Sequence, residues 1–140
     1  FRFVELANDI NDHMPDYVQA RLVKALNERG LAMSRARVLV LGLAYKANSS
    51  DARESPAVAL VDRLCRDGAD VAVCDPHVTE DVVRAGDVRR VELTADELAA
   101  ADAVVLVTEH DAFDTELVLA NARYVLDTRH HLDGPHVEHL

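Results

Sequence analysis

From residue 37 onward, short apolar runs typical of buried strands alternate with segments of helical periodicity. The predicted strands cover residues 37–42, 70–74, 88–92, 103–108 and 123–127. The predicted helices begin at Ser55-Pro56 and at Thr94, and two shorter ones cover 79–85 and 114–121. Strands that alternate with helices pair in parallel through right-handed crossovers. We therefore predict an α/β fold with a doubly wound, five-stranded parallel sheet in the order 3-2-1-4-5.

The first 29 residues carry apolar side chains at helical spacing, and Gly30 is predicted to end this segment. Pro15 predicts either a kink or a break with Pro15 in the first turn of a second helix. At 1.5 Å per residue the segment would reach roughly 40 Å, which is long for one small domain. It either packs on the rest of the chain or links to an upstream domain and lends a face to a dimer. The chain opens inside this pattern without a methionine, so we expect a fragment of a longer protein.

The composition excludes several partners. A net charge of −10 argues against nucleic acid and anionic membranes, which require a basic surface. The apolar runs are strand-sized, and no signal peptide is visible, so a cytoplasmic location is the default. Cys65 and Cys74 lie in apolar segments and are predicted to be reduced core residues.

Ligands of open α/β sheets bind beyond the carboxyl ends of the strands, where the strand order reverses. Lys46 and Arg53 follow strand one, and Arg129 follows strand five, so three cations are predicted at one sheet edge of an acidic protein. The helix that starts at Ser55 would add its positive dipole end there. These observations predict an anion site. The alternative is that Lys46 and Arg53 are solvated loop charges, with Arg53 paired to Asp51 or Glu54.

Dinucleotide binding, zinc binding and general-base catalysis have less support in the sequence. The dinucleotide fingerprint G-x-G-x-x-G is absent, because Gly42 is followed by no second or third glycine. Asp75 comes 33 residues after Gly42 and, with Pro76, is predicted to end a strand rather than to bind a ribose. The His-rich tail after Thr128 is predicted to be polar, solvated and partly disordered rather than a zinc site. His110 could be a general base, but a loop residue that hydrogen-bonds backbone is the favoured interpretation.

The stretch GLAYKANSSDARESPA, followed by a helix and VAVCDP, resembles the C-terminal domain of the UDP-glucose/GDP-mannose dehydrogenase family. The VTEHDAF and LDTR stretches and the opening helix are also similar to this family. The resemblance implies an NAD-dependent enzyme that oxidises the C6 alcohol of a nucleotide sugar to a carboxylate, in polysaccharide biosynthesis. RESPA is more similar to the branch that acts on UDP-N-acetylmannosamine or UDP-N-acetylglucosamine than to the UDP-glucose branch.

The resemblance also implies a domain arrangement. Residues 1–33 would end a central helical domain that carries the dimer interface, and 34–140 would form a Rossmann-like nucleotide-sugar-binding domain. NAD and the catalytic cysteine would belong to upstream segments, so this fragment would be inactive alone, with no catalytic residue of its own. The expected partners are a UDP-sugar and a second copy of the chain. The alternative is a non-catalytic dimerisation or interaction domain with the same fold.

The resemblance assigns substrate-binding roles to five residues. Tyr45 and Lys46 match an aromatic-lysine pair that meets the nucleotide sugar, with Lys46 acting as a point charge. Arg129 matches a basic residue near the diphosphate, and His130 occupies the adjacent position, which is often basic. Arg53, with Asp51, matches a motif position and is expected mainly to order the loop.

Overall fold

The computed structural model describes residues 2–83 and 86–140, which form four α-helices, a 3-10 turn at Met33–Arg35 and six strands. The helices are α1 Arg2–Glu28, α2 Pro56–Arg66, α3 Ala95–Ala100 and α4 Thr115–Asn121. The strands are β1 Arg37–Leu41, β2 Asp70–Cys74, β3 Arg89–Arg90, β4 Ala103–Leu106, β5 Val125–Asp127 and β6 Val137–His139. No helix in this part of the chain combines the length and apolar character that a bilayer crossing requires.

The strands form one parallel sheet in the order β3-β2-β1-β4-β5-β6. The predicted order of the first five strands is therefore confirmed. In the centre of the sheet, Leu39 of β1 pairs with Ala72 of β2 and Val104 of β4. All but the first residue of β1 and every residue of β4 are buried, because both faces of the sheet are covered.

The predicted partial disorder of the tail is wrong, because its last residues add a sixth strand, whereas residues 129–131 and 133–136 are exposed as predicted. Val137 of β6 pairs with Val125 of β5 and packs against a buried cluster that includes Leu132. A strand of three residues carries too little periodicity to stand out from a polar, His-rich stretch. The sheet thus ends on β6 rather than on β5.

Helix α1 runs without interruption through Pro15, so the predicted break at this residue is wrong. Pro15 is buried with Val18, Leu22, Ala25 and Leu26 on the face that packs against the rest of the chain. Burial of that face compensates for the main-chain hydrogen bond that Pro15 cannot donate. The helix ends at Glu28, and Gly30, with φ +72°, is its C′ residue as predicted. The amide of Leu31 donates to the carbonyl of Leu26 at 2.9 Å, which is the bond that defines a Schellman motif.

Polar contacts attach α1 to strand β6 and to helix α2. Arg21 forms an ion pair with Glu138 of β6, whose other oxygen accepts a 2.7 Å hydrogen bond from the Tyr124 hydroxyl. Asp16 lies 2.9 Å from Arg63 of α2. Helices α1 and α2 cover one face of the sheet, and α3 and α4 cover the other with a second buried cluster. These contacts position the N-terminal half of α1 beside the start of α2.

The predicted helix caps and free cysteines are confirmed, whereas one predicted helix and the length of the third strand are corrected. Ser55 caps α2 by accepting from the amide of Ala57, with Pro56 at the first helical position, and Thr94 caps α3. No helix covers residues 79–83, and residues 84 and 85 of that predicted helix lie outside the described residues. The third strand is shorter than predicted because its two residues are exposed at the sheet edge. Both cysteines are free, as predicted, and burial raises the pKa of Cys74 to about 11.

Candidate functional site

A sharp turn follows β1 at Gly42, which has φ +91°. A side chain cannot fit there: a Cβ atom would lie 2.4 Å from the carbonyl oxygen of Thr108 and 2.6 Å from its Cβ. The Thr108 hydroxyl donates a 2.6 Å hydrogen bond to the carbonyl of Ala44. The loop that leaves β1 is therefore packed directly against the carboxyl end of β4. We call residues 43–48 the β1 loop.

The first half of the β1 loop is attached to Asp75, whose side chain is fully buried at the end of β2. One carboxylate oxygen accepts from the amides of Leu43 at 2.7 Å and Ala44 at 3.0 Å. The other accepts from the amides of His77 at 2.8 Å and Val78 at 3.0 Å. Burial raises the pKa of Asp75, but the hydrogen bonds from His110 and from the amides of Leu43, His77 and Ala44 outweigh it, so the net pKa is lowered. Asp75 ends its strand as predicted and also organises two loops.

The second half of the β1 loop is attached to His110, which follows β4 and is fully buried. Its Nε2 lies 2.8 Å from Asp75 Oδ2, and its Nδ1 lies 2.8 Å from the amide nitrogen of Asn48. Asn48 has φ +60°, and its side-chain oxygen accepts from the amide of Asp111 at 2.9 Å. The interpretation of His110 as a loop residue that hydrogen-bonds backbone is confirmed.

Arg129 is placed by a second buried carboxylate at the end of β5. Asp127 accepts from the amide of Arg129 at 2.9 Å and from the amides of His131 and Leu132 at 2.7 Å each. The Arg129 guanidinium reaches back to Glu109, whose carboxylate lies 2.7 Å from its Nε. Arg129 is thus a half-exposed cation that is fixed to the ends of both β4 and β5.

These loops open onto a cleft of about 780 Å³. Tyr45 and Lys46 line it from the β1 loop, and Arg129 lines it from the end of β5. Helix α1 contributes Asn8, Asn11, Asp12 and Pro15, and the start of α2 with the residue before its cap contributes Glu54, Ser55, Pro56, Ala59 and Arg63. The volume lies within the range that small-molecule ligands occupy in proteins. Three of the five predicted site residues therefore converge on one cleft.

Three basic residues line the cleft, Lys46, Arg63 and Arg129, together with two acidic ones, Asp12 and Glu54. Arg63 is paired with Asp16 and Arg129 with Glu109, whereas Lys46 forms no ion pair with any acidic side chain in residues 2–83 and 86–140. Lys46 is exposed, and the Tyr45 ring beside it is 46% exposed. The N-terminus of α2 lies at the same wall and presents the positive end of its dipole there, although Pro56 has no N–H group and the amide of Ala57 already donates to Ser55.

Arg53 and His130 lie outside the set of residues that line this cleft. Arg53 makes two contacts with the carboxylate of Asp51, at 3.0 and 2.9 Å, and its side chain is 88% exposed. The hydrogen bonds from Arg53 lower the pKa of Asp51 to about 2. His130 stacks on His139 at 4.6 Å between ring centroids, with its Nε2 3.0 Å from the carbonyl of Leu140. Their binding roles remain predictions, while the pairing of Arg53 with Asp51 is confirmed.

We did not predict from the sequence that α1 forms one wall of the cleft. Asn8, Asn11, Asp12 and Pro15 occupy positions i, i+3, i+4 and i+7, which place them on one helix face. Because Pro15 has no N–H group, the carbonyl of Asn11 lacks its helical donor and remains an acceptor beside the cleft. The spacing of these polar residues was a usable signal, but nothing local indicated which surface they would meet.

A second cleft of about 620 Å³ lies at the carboxyl ends of β2 and β3, on the side of the second buried cluster. Its apolar lining includes Pro76, Val91, Leu93 and Phe113. The Asp75 carboxylate at its border is already occupied by His110 and four amides. This cleft offers fewer uncommitted charges for an anion than the first one.

Comparison with known proteins identifies what the chain is similar to. Residues 39–134 match the sequence model of the UDP-glucose/GDP-mannose dehydrogenase family, UDP binding domain. A UDP-glucose 6-dehydrogenase of Haloferax volcanii is 38% identical over 132 residues, which are 91% of this chain and 30% of that protein. A UDP-N-acetyl-D-mannosamine dehydrogenase of Methanococcus maripaludis is 34% identical over 114 residues, 80% of this chain and 24% of that protein.

Solved structures agree with the sequence comparison. A UDP-D-ManNAc dehydrogenase from Pyrococcus horikoshii superposes with a TM-score of 0.78 at 26% identity, over 99% of this chain and 33% of that one. A UDP-glucose dehydrogenase from Pyrobaculum islandicum gives 0.71 at 30% identity, over 93% and 29%. The chain spans about a third or less of the length of the proteins it matches.

Proposed function

Because this chain belongs to the UDP-glucose/GDP-mannose dehydrogenase family, we propose that it forms the nucleotide-sugar-binding part of a UDP-sugar 6-dehydrogenase. The observation that carries this proposal is the convergence of Tyr45, Lys46 and Arg129 on one cleft beside the N-terminus of α2. The ligand we assign to this cleft is the UDP moiety. The sugar C6 alcohol would be oxidised to a carboxylate in two NAD-dependent steps.

The geometry supports separate roles for these groups. Lys46 is the cation of the cleft that forms no ion pair within the described part of the chain, so it can approach a diphosphate without giving up a carboxylate partner. The Arg129 guanidinium would bind the diphosphate and Glu109 at the same time, because the Glu109 carboxylate lies 2.7 Å from Arg129 Nε. The half-exposed ring of Tyr45 provides a flat apolar surface for a base or a sugar.

We extend the proposal to the protein that carries this chain. Its NAD would be bound by an upstream domain, and its cysteine nucleophile would also lie outside residues 1–140. Residues 1–33 would belong to a central helical domain and 34–140 to the UDP-binding domain. We place the enzyme in the cytoplasm and its product, a UDP-hexuronate, in polysaccharide biosynthesis. The assignment of further domains to segments outside residues 1–140 is supported by the share of the relatives that this chain covers, 30% and 24%.

Replacing Lys46 by alanine is expected to raise the Kd for UDP at least tenfold, because it removes a charge-assisted contact to the diphosphate. Isothermal titration calorimetry of the protein that carries this chain measures this effect. Lys24→Ala is a matched control, because Lys24 is the only other lysine in the sequence and is exposed on α1 away from the cleft. Equal affinities for UDP in the two variants would refute the role of Lys46.

A second role is favoured by the N-terminal half of α1, which exposes large apolar side chains. Phe3 is 89% exposed, Leu6 55%, Ile10 50% and Tyr17 63%. Their spacing places them along one side of the helix. We propose that this stripe packs against a second copy of the chain in a homodimer. Such an interface is also what the alternative function, a non-catalytic dimerisation domain, would require.

The double variant Leu6→Glu and Ile10→Glu is expected to sediment as a monomer, because it places charges inside the proposed interface. Sedimentation velocity distinguishes the two states. Leu119→Glu on α4, at a side chain that is 37% exposed, is the control and is expected to leave the dimer intact. A wild-type monomer, or a dimer that survives both substitutions, would refute this interface.

A further inference from the structure

We propose that His110 is a positioning residue for the UDP-sugar site, acting through a buried relay from Asp75 to the amide of Asn48. This inference rests on the proposed function, because the loop it positions carries Tyr45 and Lys46. His110 does not line the cleft itself. Its side chain and that of Asp75 are both fully buried.

The hydrogen-bond pattern selects one form of the imidazole ring. The amide nitrogen of Asn48 is a donor and lies 2.8 Å from Nδ1, so Nδ1 must present its lone pair. The ring proton is then on Nε2, which faces Asp75 Oδ2 at 2.8 Å. The neutral Nε2–H tautomer satisfies both contacts. A proton on Nδ1, in the other tautomer or in the charged ring, would face the N–H of Asn48.

The relay attaches both ends of the β1 loop to one pair of side chains. The amides of Leu43 and Ala44 donate to Asp75, and the amide of Asn48 donates to His110. Tyr45, Lys46 and Ala47 lie between these attachments. Because a charge-assisted pair that is removed from water is rigid, it restrains the path of these three residues, together with the 2.8 Å hydrogen bond from the amide of Tyr45 to the carbonyl of Asp51. The direction in which Lys46 enters the cleft therefore depends on a residue that cannot touch the ligand.

Asn48 strengthens this attachment through an unusual backbone conformation. Its φ of +60° lies in the left-handed region, which asparagine adopts more readily than most residues that carry a side chain. Two contacts hold it there: its amide donates to His110, and its side-chain oxygen accepts from the amide of Asp111. The turn that follows Lys46 is thus held from the loop after β4 and also by its own main chain, since the amide of Ser49 donates to the carbonyl of Lys46 at 3.3 Å.

Calorimetric titration with UDP of the protein that carries this chain tests the relay through three variants. His110→Ala removes both contacts and is expected to raise the Kd for UDP roughly tenfold. His110→Asn places an amide oxygen near the position of Nδ1, so it is expected to bind within about threefold of wild type. His77→Ala is the control, because His77 meets the His110 ring by an edge contact at 4.5 Å but donates to Asp75 through its main chain.

Two further measurements do not depend on UDP. Amide hydrogen exchange at Asn48 is expected to be accelerated at least tenfold in His110→Ala and to be unchanged in His77→Ala. Nitrogen-15 shifts of the His110 ring are expected to show a proton on Nε2 and none on Nδ1 in the wild type. These shifts are read in the wild-type protein, so they decide the tautomer even if His110→Ala fails to fold.

The outcomes separate this inference from the proposed function. Failure of the wild-type protein to bind UDP would overturn the proposed function and, with it, the assignment of the β1 loop to a substrate. Wild-type UDP affinity in His110→Ala, or a ring proton on Nδ1, would overturn the relay and leave the proposed function standing. A loss of stability without a loss of affinity in His110→Ala would show that the residue is only structural.

Discussion

Alanine in place of Gly42 is expected to destabilise the protein by roughly 3 kcal/mol or more. The added Cβ would lie 2.4 Å from the main-chain oxygen of Thr108 and 2.7 Å from its nitrogen. These atoms belong to the chain that leaves β4 and cannot move aside as the end of a flexible side chain could. The φ of +91° adds a conformational cost that any residue with a Cβ would bear. Urea unfolding measures the difference from wild type.

Gly30→Ala separates the steric part of this cost from the conformational part. Gly30 also has a positive φ, +72°, but no described atom lies within 4 Å of the position its Cβ would take. Its replacement is expected to cost about 1 kcal/mol. If the two alanine variants were equally stable, the close approach of the β1 loop to the end of β4 would be wrong.

Asp75→Ala is the second substitution with a large expected effect, roughly 3–5 kcal/mol at neutral pH. It removes the acceptor for four main-chain amides and for the His110 ring, all of them in loops at the site. Equilibrium unfolding in urea measures the loss. Asp133→Ala is the control, because the Asp133 side chain is 98% exposed, and it is expected to change stability by less than about 0.5 kcal/mol.

The effect of Asp75→Ala is expected to depend on pH in a defined direction. The folded state lowers the pKa of Asp75, so its ionised form contributes stability at every pH above the ordinary aspartate value near 4. That contribution disappears as the pH falls from this value through the lower, folded-state value. The difference between wild type and Asp75→Ala should therefore shrink in acid. A difference that stayed constant through this range, or that matched Asp133→Ala at neutral pH, would contradict the role assigned to Asp75.

The order of the first five strands could be predicted because β/α alternation leaves few topologies once crossovers are right-handed. The sequence was less informative where tertiary contacts override local signals. Pro15 usually ends a helix, but here its burial beside α2 keeps α1 continuous. Strand β6 is specified by its pairing with β5 and by the burial of Leu132, and neither contact leaves a local periodicity in three residues.

The site shows the same division. Tyr45, Lys46 and Arg129 could be predicted to converge because the carboxyl ends of parallel strands meet at one edge of a sheet. The α1 wall could not, since it requires the packing of α1 on α2. The contact between Asp75 and His110 could be predicted only from the strand order. Strands β2 and β4 flank β1, so the residues that follow these two strands meet beside the β1 loop. Arg53 pairs with Asp51, one of the two partners that the alternative interpretation offered, and this contact could be anticipated because it is local.

An NMR titration of the nitrogen-15-labelled protein with UDP tests the central claim, the place of the ligand, most directly. The first cleft lies on the α1 and α2 side of the sheet, and the second lies at the ends of β2 and β3. We expect the largest amide shifts at residues 43–48, at Glu54 and Ser55 and around Arg129, with small shifts at 90–93 and at Phe113. Largest shifts at 90–93 and at Phe113, with the β1 loop unaffected, would contradict the assignment of the UDP site to the first cleft.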